Sequence, residues 1–318
     1  MEASKKNQNI FKEQYDLQVE SMYKVNNSMI QHATAIAEEI NANAVLVYVD
    51  VIKSRDNLKK LFESSRCILA ARSNTVIEEL KKIEGDNNRI IRLPYINLSR
   101  YSQVKVAAIV SLSKGLIKLG DRLICLSGSP EYGIFDNISV LDLGREFEMF
   151  SSIGLGIANQ MSQPEIFERL LTLVLELAEE GKEGKPIGTT FVLGDHEKVF
   201  EISNQLIINP FRAVPEKECN ILDPDLKETI REFSSIDGAF IIRDDGVILA
   251  AGRHLSPSVE TNEIPMGLGA RHRSAAGVTA LTNSISLVIS ESTGDVRIFN
   301  RGKLFMEINR AKRGNGNG

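Results

Sequence analysis

The sequence predicts an α/β protein with an N-terminal parallel-sheet α/β domain over residues 1–150 and a mixed-sheet α/β domain over residues 151–318. First, the chain has 318 residues, about twice the length of one typical domain of ~150 residues. Second, short β-rich apolar runs alternate with amphipathic helical stretches in the first half, which is typical of a parallel sheet with crossover helices. Third, the second half holds many closely spaced apolar runs and few helical ones, which indicates a mixed sheet.

In the first domain, apolar residues at helical spacing predict one long helix from about Gln14 to Asn41. Further helices are expected around DNLKKLFE and TVIEELKKI and from about Gln103 to Leu119. The expected strands are AVLVYVD, CILAARS, IIRLPY and LICLSGS. Ser73 and Ser129 end two of these runs, where an open α/β sheet can bind an anion, although ordinary loop serines are favoured. The segment 144–161 is taken as the join between the domains.

The second domain is predicted to open with an amphipathic helix from about Gln163 to Glu180, with Ser162 as its cap and Pro164 in its first turn. The Asp245-Gly246 pair is a hairpin signal between two strands. The C-terminal RGNGNG is expected to be a flexible tail. The expected strands are GTTFVLGD, QLIINPF, GAFIIR, VILAAG, SLVISES, VRIFN and LFMEI.

Composition narrows the function classes. A net charge of -4 and a pI near 5.8 give no global electrostatic reason to bind nucleic acid, so a nucleic-acid partner is not expected. Cys67, Cys125 and Cys219 are too far apart for a zinc knuckle and odd in number for a disulfide framework. The polar N-terminus lacks the apolar core of a signal peptide, and no run approaches the ~20 apolar residues that span a bilayer. We therefore expect a cytoplasmic protein without a membrane partner.

The first half carries ANAVLVYVD, CILAARSN and DRLICLSGSP over about residues 25–145. This pattern resembles the C-terminal α/β domain of pyruvate kinase. No catalytic barrel accompanies it, so the resemblance implies no pyruvate kinase chemistry. A regulatory or oligomerising role is expected for this domain.

Three short stretches of the second domain carry the candidate chemistry: DGA at 237–239, GARHR at 269–273 and SE at 290–291. Glycines precede a helix-like run, so Arg271 and Arg273 would lie at a helix N-terminus, where exposed amides and guanidinium groups bind anions. His272 could contact a phosphate or brace the loop. Alone, an Asp-Gly is usually a turn, RHR a solvated basic turn and Ser-Glu the start of a loop.

Together, these stretches resemble the DisA-type diadenylate cyclase family over about residues 185–310, in the layout of its archaeal-type members. The resemblance implies that two ATP molecules are joined into cyclic di-AMP with a divalent metal, Mn²⁺ or Mg²⁺, held by Asp237 and Glu291. It also implies catalytic roles for Asp237 and the RHR residues. The expected ATP-binding residues are Gly238, Ala239, Leu255, Gly269, Ala270, Ser274 and Ser290.

Three points stay open from the sequence. Ala270 stands where the family often has threonine, so a hydroxyl contact to phosphate is missing, and Ser274 could supply one. Leu255 is nearly as well explained as a core residue. A non-catalytic sensor of ATP or cyclic di-AMP, and a DNA-scanning factor, are the rival functions.

Because one domain holds one ATP, catalysis would require two domains face to face, so a homo-oligomer is expected.

Overall fold

The computed structural model describes residues 2–53, 59, 61, 66–84, 89–143, 163–183, 185–256 and 268–309, with side chains of the first helix from residue 19 onward. The chain divides into two compact units. The first is Met1–Leu93 with Asp121–Leu143, and the second is Pro94–Gly120 with Gly144–Gly318. The second unit thus includes a segment from the sequence range of the predicted first domain. The predicted join at 144–161 and the C-terminal tail lie outside the described residues.

The first unit contains a five-stranded sheet in the order β3-β2-β1-β4-β5, in which β1 to β4 run parallel and β5 is antiparallel to β4. Strands β1 and β2 are buried at every position, as expected for a parallel sheet covered on both faces. The elements are α1 (Glu2–Glu39), β1 (Ala44–Tyr48), β2 (Cys67–Ala71), α2 (Asn74–Glu84), β3 (Ile90–Arg92), β4 (Arg122–Ser129) and β5 (Ile134–Asp142).

The predicted parallel sheet is confirmed, and the antiparallel β5 was missed. Gly133 has φ 65° in the tight turn before it, which lets the chain reverse. Helix α1 begins at residue 2, earlier than predicted. The helix expected at 56–63 lies mostly outside the described residues. The backbone N–H groups of Arg72 and Ser73 donate to the Asp50 carboxylate at 2.7 and 2.9 Å. At Ser73, one of the two serines considered for anion binding, the backbone amide is therefore bonded to a carboxylate of the protein itself.

The second unit is built on a mixed seven-stranded sheet in the order β12-β11-β10-β6-β8-β9-β7. Strands β6 and β8 are parallel, and the other neighbouring strands are antiparallel. The predicted mixed sheet is therefore confirmed. The elements are α3 (Arg100–Ser113), α4 (Pro164–Glu180), β6 (Thr189–Leu193), α5 (His196–Glu201), β7 (Ser203–Gln205), α6 (Leu226–Phe233), β8 (Ala239–Ile242), β9 (Ile248–Leu255), α7 (Ala270–Leu281), β10 (Ile285–Ile289), β11 (Val296–Asn300) and β12 (Lys303–Ile308).

One helix start and one helix cap differ from the prediction. Helix α3 begins at Arg100 because the Ser99 hydroxyl accepts from the Ser102 N–H and caps it. Helix α4 has Gln163 at its N-cap, with no side-chain cap, and Pro164 follows in the first turn as expected. Ser162 lies outside the described residues.

The strand expected at 205–211 is wrong, because β7 ends at Gln205. The Asn209 side chain binds the backbone of β9 at Leu249 and Ala251, and Pro210 follows with no N–H to donate, so the chain leaves the sheet edge. Helices α5 and α6 were missed since each is under nine residues. In the described part of the chain, every helix is too short or too polar to cross a membrane.

Candidate active site

Strand directions bring the candidate residues to one edge of the seven-stranded sheet. Because β6 and β8 are parallel and β10 is antiparallel to β6, the starts of β6 and β8 lie beside the end of β10. The register pairs Ile289 with Thr189, and Thr190 with Ala239. Asp237 just before β8 and Glu291 just after β10 therefore lie near one another. A cleft of about 650 Å³ opens there, lined by both carboxylates and by the first turn of α7.

Arg271 joins the two carboxylates. Its Nη2 lies 2.9 Å from Asp237 Oδ1, and its Nη1 lies 2.7 Å from Glu291 Oε2. The Asp237 and Glu291 side chains are 83% and 68% exposed, so these contacts are screened by water and contribute little stability. These contacts matter for the geometry of the site, because the guanidinium of one motif contacts a carboxylate from each of the other two.

Gly188 makes room for this arrangement. A Cβ at this position would lie 2.6 Å from Glu291 Cβ and 2.8 Å from Arg271 Nη1, which is well inside the normal carbon–carbon contact distance of about 3.5–4.0 Å. The residue directly before β6 must therefore be glycine for the pair to occupy its observed place.

The start of α7 is suited to bind an anion. Gly269 is its N-cap, with no side-chain cap and no acidic residue in the first turn. The amides of His272 and Arg273 bond to the Gly269 carbonyl, while those of Ala270 and Arg271 have no hydrogen bond among the described residues. Helix N-termini with free amides attract phosphate groups. The predicted glycine-led helix start is thus present in the fold, and anion binding there stays a prediction.

His272 is a buried member of the cleft wall. Its Nε2 lies 3.1 Å from Arg297 Nη1, and its ring packs edge-on against Phe299. Burial, together with the charges of Arg297 and Arg271, lowers the pKa of His272 from 6.5 to about 4. The ring is therefore neutral at physiological pH and is not a proton donor of the usual imidazolium kind.

Four other predicted site residues are not among the residues that line the cleft. Arg273 is exposed, does not line the cleft, and donates through Nη1 to the Leu268 carbonyl at 2.9 Å. Ala239 and Leu255 are buried in a common hydrophobic cluster, which agrees with the alternative reading of Leu255 as a core residue, and their contact with ATP stays a prediction. Ser274 is half-buried and also does not line the cleft.

The structure gives a further reason for glycine at 238. It has φ 112°, and a Cβ there would lie 2.6 Å from the Arg253 backbone nitrogen. The backbone of β9 fills the space next to this residue, so Gly238 serves a left-handed backbone and close strand packing, and the close approach of a nucleotide stays a prediction. Ser290, by contrast, lines the cleft as expected, and its hydroxyl lies 3.2 Å from that of Ser292.

Sequence reasoning missed Gly188, Arg297 and the Ser292-Thr293 turn, all at or in the cleft. The signal for Arg297 was available in part, because a charged residue in the apolar strand VRIFN suggests a buried partner. That partner is Glu307, which faces it across β11 and β12 in the strand register. Nothing in the sequence alone marked Gly188.

Comparison with known proteins agrees with the geometry. A nucleotide-binding family model, described as "DisA bacterial checkpoint controller nucleotide-binding", matches residues 176–304. A second model, described as "Probable sensor domain DacZ_P", matches residues 25–150. The cleft and the first match define a nucleotide-binding protein of the DisA type.

Two relatives that cover most of the chain specify the family. A diadenylate cyclase of Methanocaldococcus jannaschii is 32% identical over 88% of this chain and 95% of its own length. A diadenylate cyclase of Haloferax volcanii is 36% identical over 62% of this chain and 71% of its own length. A solved structure of DacA from Staphylococcus aureus aligns with 24% identity over 44% of this chain and 84% of that one, at a TM-score of 0.30. The chain belongs to the diadenylate cyclase family.

Proposed function

We propose that this chain condenses two ATP molecules into cyclic di-AMP and two pyrophosphates. Each ribose 3′-oxygen attacks the α-phosphorus of the other ATP, the 3′-hydroxyl loses its proton, and pyrophosphate leaves. The observation that carries the proposal is the cleft in which Asp237, Arg271 and Glu291 meet at one sheet edge, in a chain whose family consists of diadenylate cyclases.

The residues of the cleft suit parts of this reaction. The free amides at the start of α7 and the Arg271 guanidinium offer hydrogen bonds to phosphate oxygens, and such charge-assisted contacts stabilise the departing pyrophosphate. The Asp237 carboxylate is exposed, so it can approach the ribose 3′-hydroxyl and favour its ionisation. Positioning of this kind supplies much of the catalysis in phosphoryl and nucleotidyl transfer.

The same carboxylates fit a divalent cation. Asp237 and Glu291 each use one oxygen toward Arg271, and the other oxygens have no hydrogen bond among the described residues. The described part of the chain holds no cluster of three acidic, histidine or cysteine ligands. The two carboxylates suit the way Mg²⁺ is commonly bound, through one or two carboxylates plus substrate phosphates and water. A bound Mn²⁺ or Mg²⁺ would neutralise phosphate charge and acidify the hydroxyl.

One cleft offers the anion site, the carboxylates and the guanidinium once each. The reaction needs two ATP molecules in opposite senses, so we propose that two copies meet face to face about a two-fold axis. Residues 25–150, which match a model described as a probable sensor domain, would then regulate or assist this pairing.

The direct test is to incubate the purified chain with ATP and Mn²⁺ or Mg²⁺ and to separate the products by chromatography. Formation of cyclic di-AMP with release of pyrophosphate is expected, and specific activity should rise with protein concentration as copies pair. ATP or cyclic di-AMP binding without turnover, across metals and protein concentrations, would instead identify a non-catalytic sensor. Salt-sensitive binding of duplex DNA would favour the DNA-scanning alternative.

A further inference from the structure

Behind the RHR turn lies a part-buried chain of polar side chains that runs from the cleft across β11 to β12. His272 on α7 contacts Arg297 on β11, and Arg297 Nη2 lies 2.5 Å from Glu307 Oε1 on β12. The Arg297 side chain is only 13% exposed. This arginine, which also contacts a histidine of the cleft, differs from Arg271, whose two carboxylate partners are much more exposed than Glu307.

The chemistry of arginine decides the state of the histidine ring. A guanidinium has only donors and keeps its charge in proteins, so the 3.1 Å contact from Arg297 Nη1 requires Nε2 of His272 to accept. A proton on Nε2 would place donor against donor. The neutral ring must therefore carry its proton on Nδ1, which is buried and has no hydrogen-bond partner among the described residues.

We propose that Arg297 is a positioning residue of the active site: with Glu307 behind it, Arg297 holds His272 as the neutral Nδ1-protonated imidazole and so fixes the first turn of α7, from which Arg271 reaches the cleft. The catalytic consequence rests on the proposed cyclase function, whereas the state of the ring does not. Glu307 supplies the negative charge that lets a cation stay buried beside the histidine.

The charged groups that face the ring agree with this assignment. Arg271 on the same helix and Arg297 on β11 are both cations, and both oppose protonation of His272. From β11, Phe299 adds an apolar face with a centroid separation of 6.1 Å. Glu307 on β12 lies behind Arg297 and is paired with it. In the described part of the chain, no carboxylate is recorded in contact with the ring itself.

NMR of the full chain labelled with ¹⁵N-histidine tests the ring directly. The sequence has four histidines, and the spectrum of a His272→Asn variant identifies the signal of interest. The wild-type ring is expected to show Nδ1–H and an unprotonated Nε2, with no titration between about pH 5.5 and 8. A ring protonated on Nε2, or one that titrates near pH 6.5, would overturn the proposal whether or not the protein turns over ATP.

Variants of Arg297 test the link to function. Arg297→Met removes the donor, so the ring should exchange between tautomers and titrate closer to its ordinary pKa. Arg297→Lys keeps N–H donors and the positive charge that faces Glu307, with its nitrogen only one bond nearer the backbone, and should restore the Nδ1 tautomer at least in part. In Arg297→Met, kcat/KM for ATP should fall about tenfold or more, with a larger loss below pH 6.5, and Arg297→Lys should recover most of it.

Equilibrium ATP affinity, measured by calorimetry, tests the positioning role of Arg297 separately from the proposed cyclase function. If wild type binds ATP but makes no cyclic di-AMP, the proposed function fails, while a weaker ATP affinity of Arg297→Met with a changed ring still supports positioning. If Arg297→Met matches wild type in ring state, ATP affinity and turnover, Arg297 has no positioning role. Should the methionine variant not fold, the wild-type spectrum alone still decides the state of the ring.

Discussion

Replacement of Gly188 by alanine should disable the cleft while leaving the fold largely intact. The added Cβ would lie 2.6 Å from Glu291 Cβ and 2.8 Å from Arg271 Nη1. Normal contact distances of about 3.5–4.0 Å are restored only if these groups move by roughly 1 Å. Misplacement of catalytic groups by ~1 Å can cost about 100-fold in rate, so kcat/KM for ATP should fall by about that factor.

The backbone of Gly188 is not among those with positive φ in the described residues, so alanine there is not strained by its backbone. We expect the temperature of unfolding to change little. Gly115→Ala provides the contrast, since it imposes a left-handed backbone at φ 67° but meets nothing within 4 Å. That variant should lose about 1–2 kcal/mol of stability and keep its activity. Cyclic di-AMP formation by Gly188→Ala within threefold of wild type would refute the steric argument.

Three more results are expected. Asp237→Asn should lower turnover about 100-fold or more. The ATP affinity measured by calorimetry should be nearly unchanged, because the exposed carboxylate contacts only Arg271 among the described residues. Normal turnover in this variant would show that Asp237 takes no part in the chemistry. Arg271→Ala should weaken ATP binding at least tenfold, whereas Arg273→Ala should change it less than about threefold because Arg273 does not line the cleft; equal losses would contradict this. The free energy of unfolding should fall as pH drops from 6.5 toward 4, by up to about 3 kcal/mol. The reason is that His272 stays neutral in the folded chain but is protonated in the unfolded chain. In urea unfolding of His272→Asn, this pH-dependent loss of stability should be absent.

The sequence predicted best those features that depend on local chemistry. The burial of AVLVY and CILAA and the glycine-led start of α7 each follow from a short stretch of residues. So does the Asp245-Gly246 turn, in which the Gly246 N–H donates to the Arg243 carbonyl between the antiparallel strands β8 and β9. The pairing of Asp237 with Glu291 is different, because it depends on the order and direction of strands β6, β8 and β10. The family resemblance supplied that pairing, and strand register now explains it.

Tertiary contacts overrode local preference elsewhere. QLIINPF has the composition of a strand, yet only its first residue belongs to β7, and Ile208 is 91% exposed. Its path follows the Asn209 side chain, which bonds to the backbone of a distant strand. No local pattern contains that information, since Asn209 and Leu249 are 40 positions apart.

Gly188 and Arg297 show why the supporting parts of a site escape a motif search. A glycine before a strand is ordinary, and Gly188 acquires meaning only when Glu291 and Arg271, from two other segments, arrive beside its Cα. An arginine in a strand is costly to bury, and Arg297 becomes tolerable only through Glu307 on the next strand. Both residues act through their neighbours: Gly188 leaves space for Glu291 and Arg271, and Arg297 contacts His272. Asp237 and Arg271 of the motifs contact substrate in the proposed reaction, while the geometry that makes those contacts effective depends on Gly188 and Arg297, which belong to none of the three motifs.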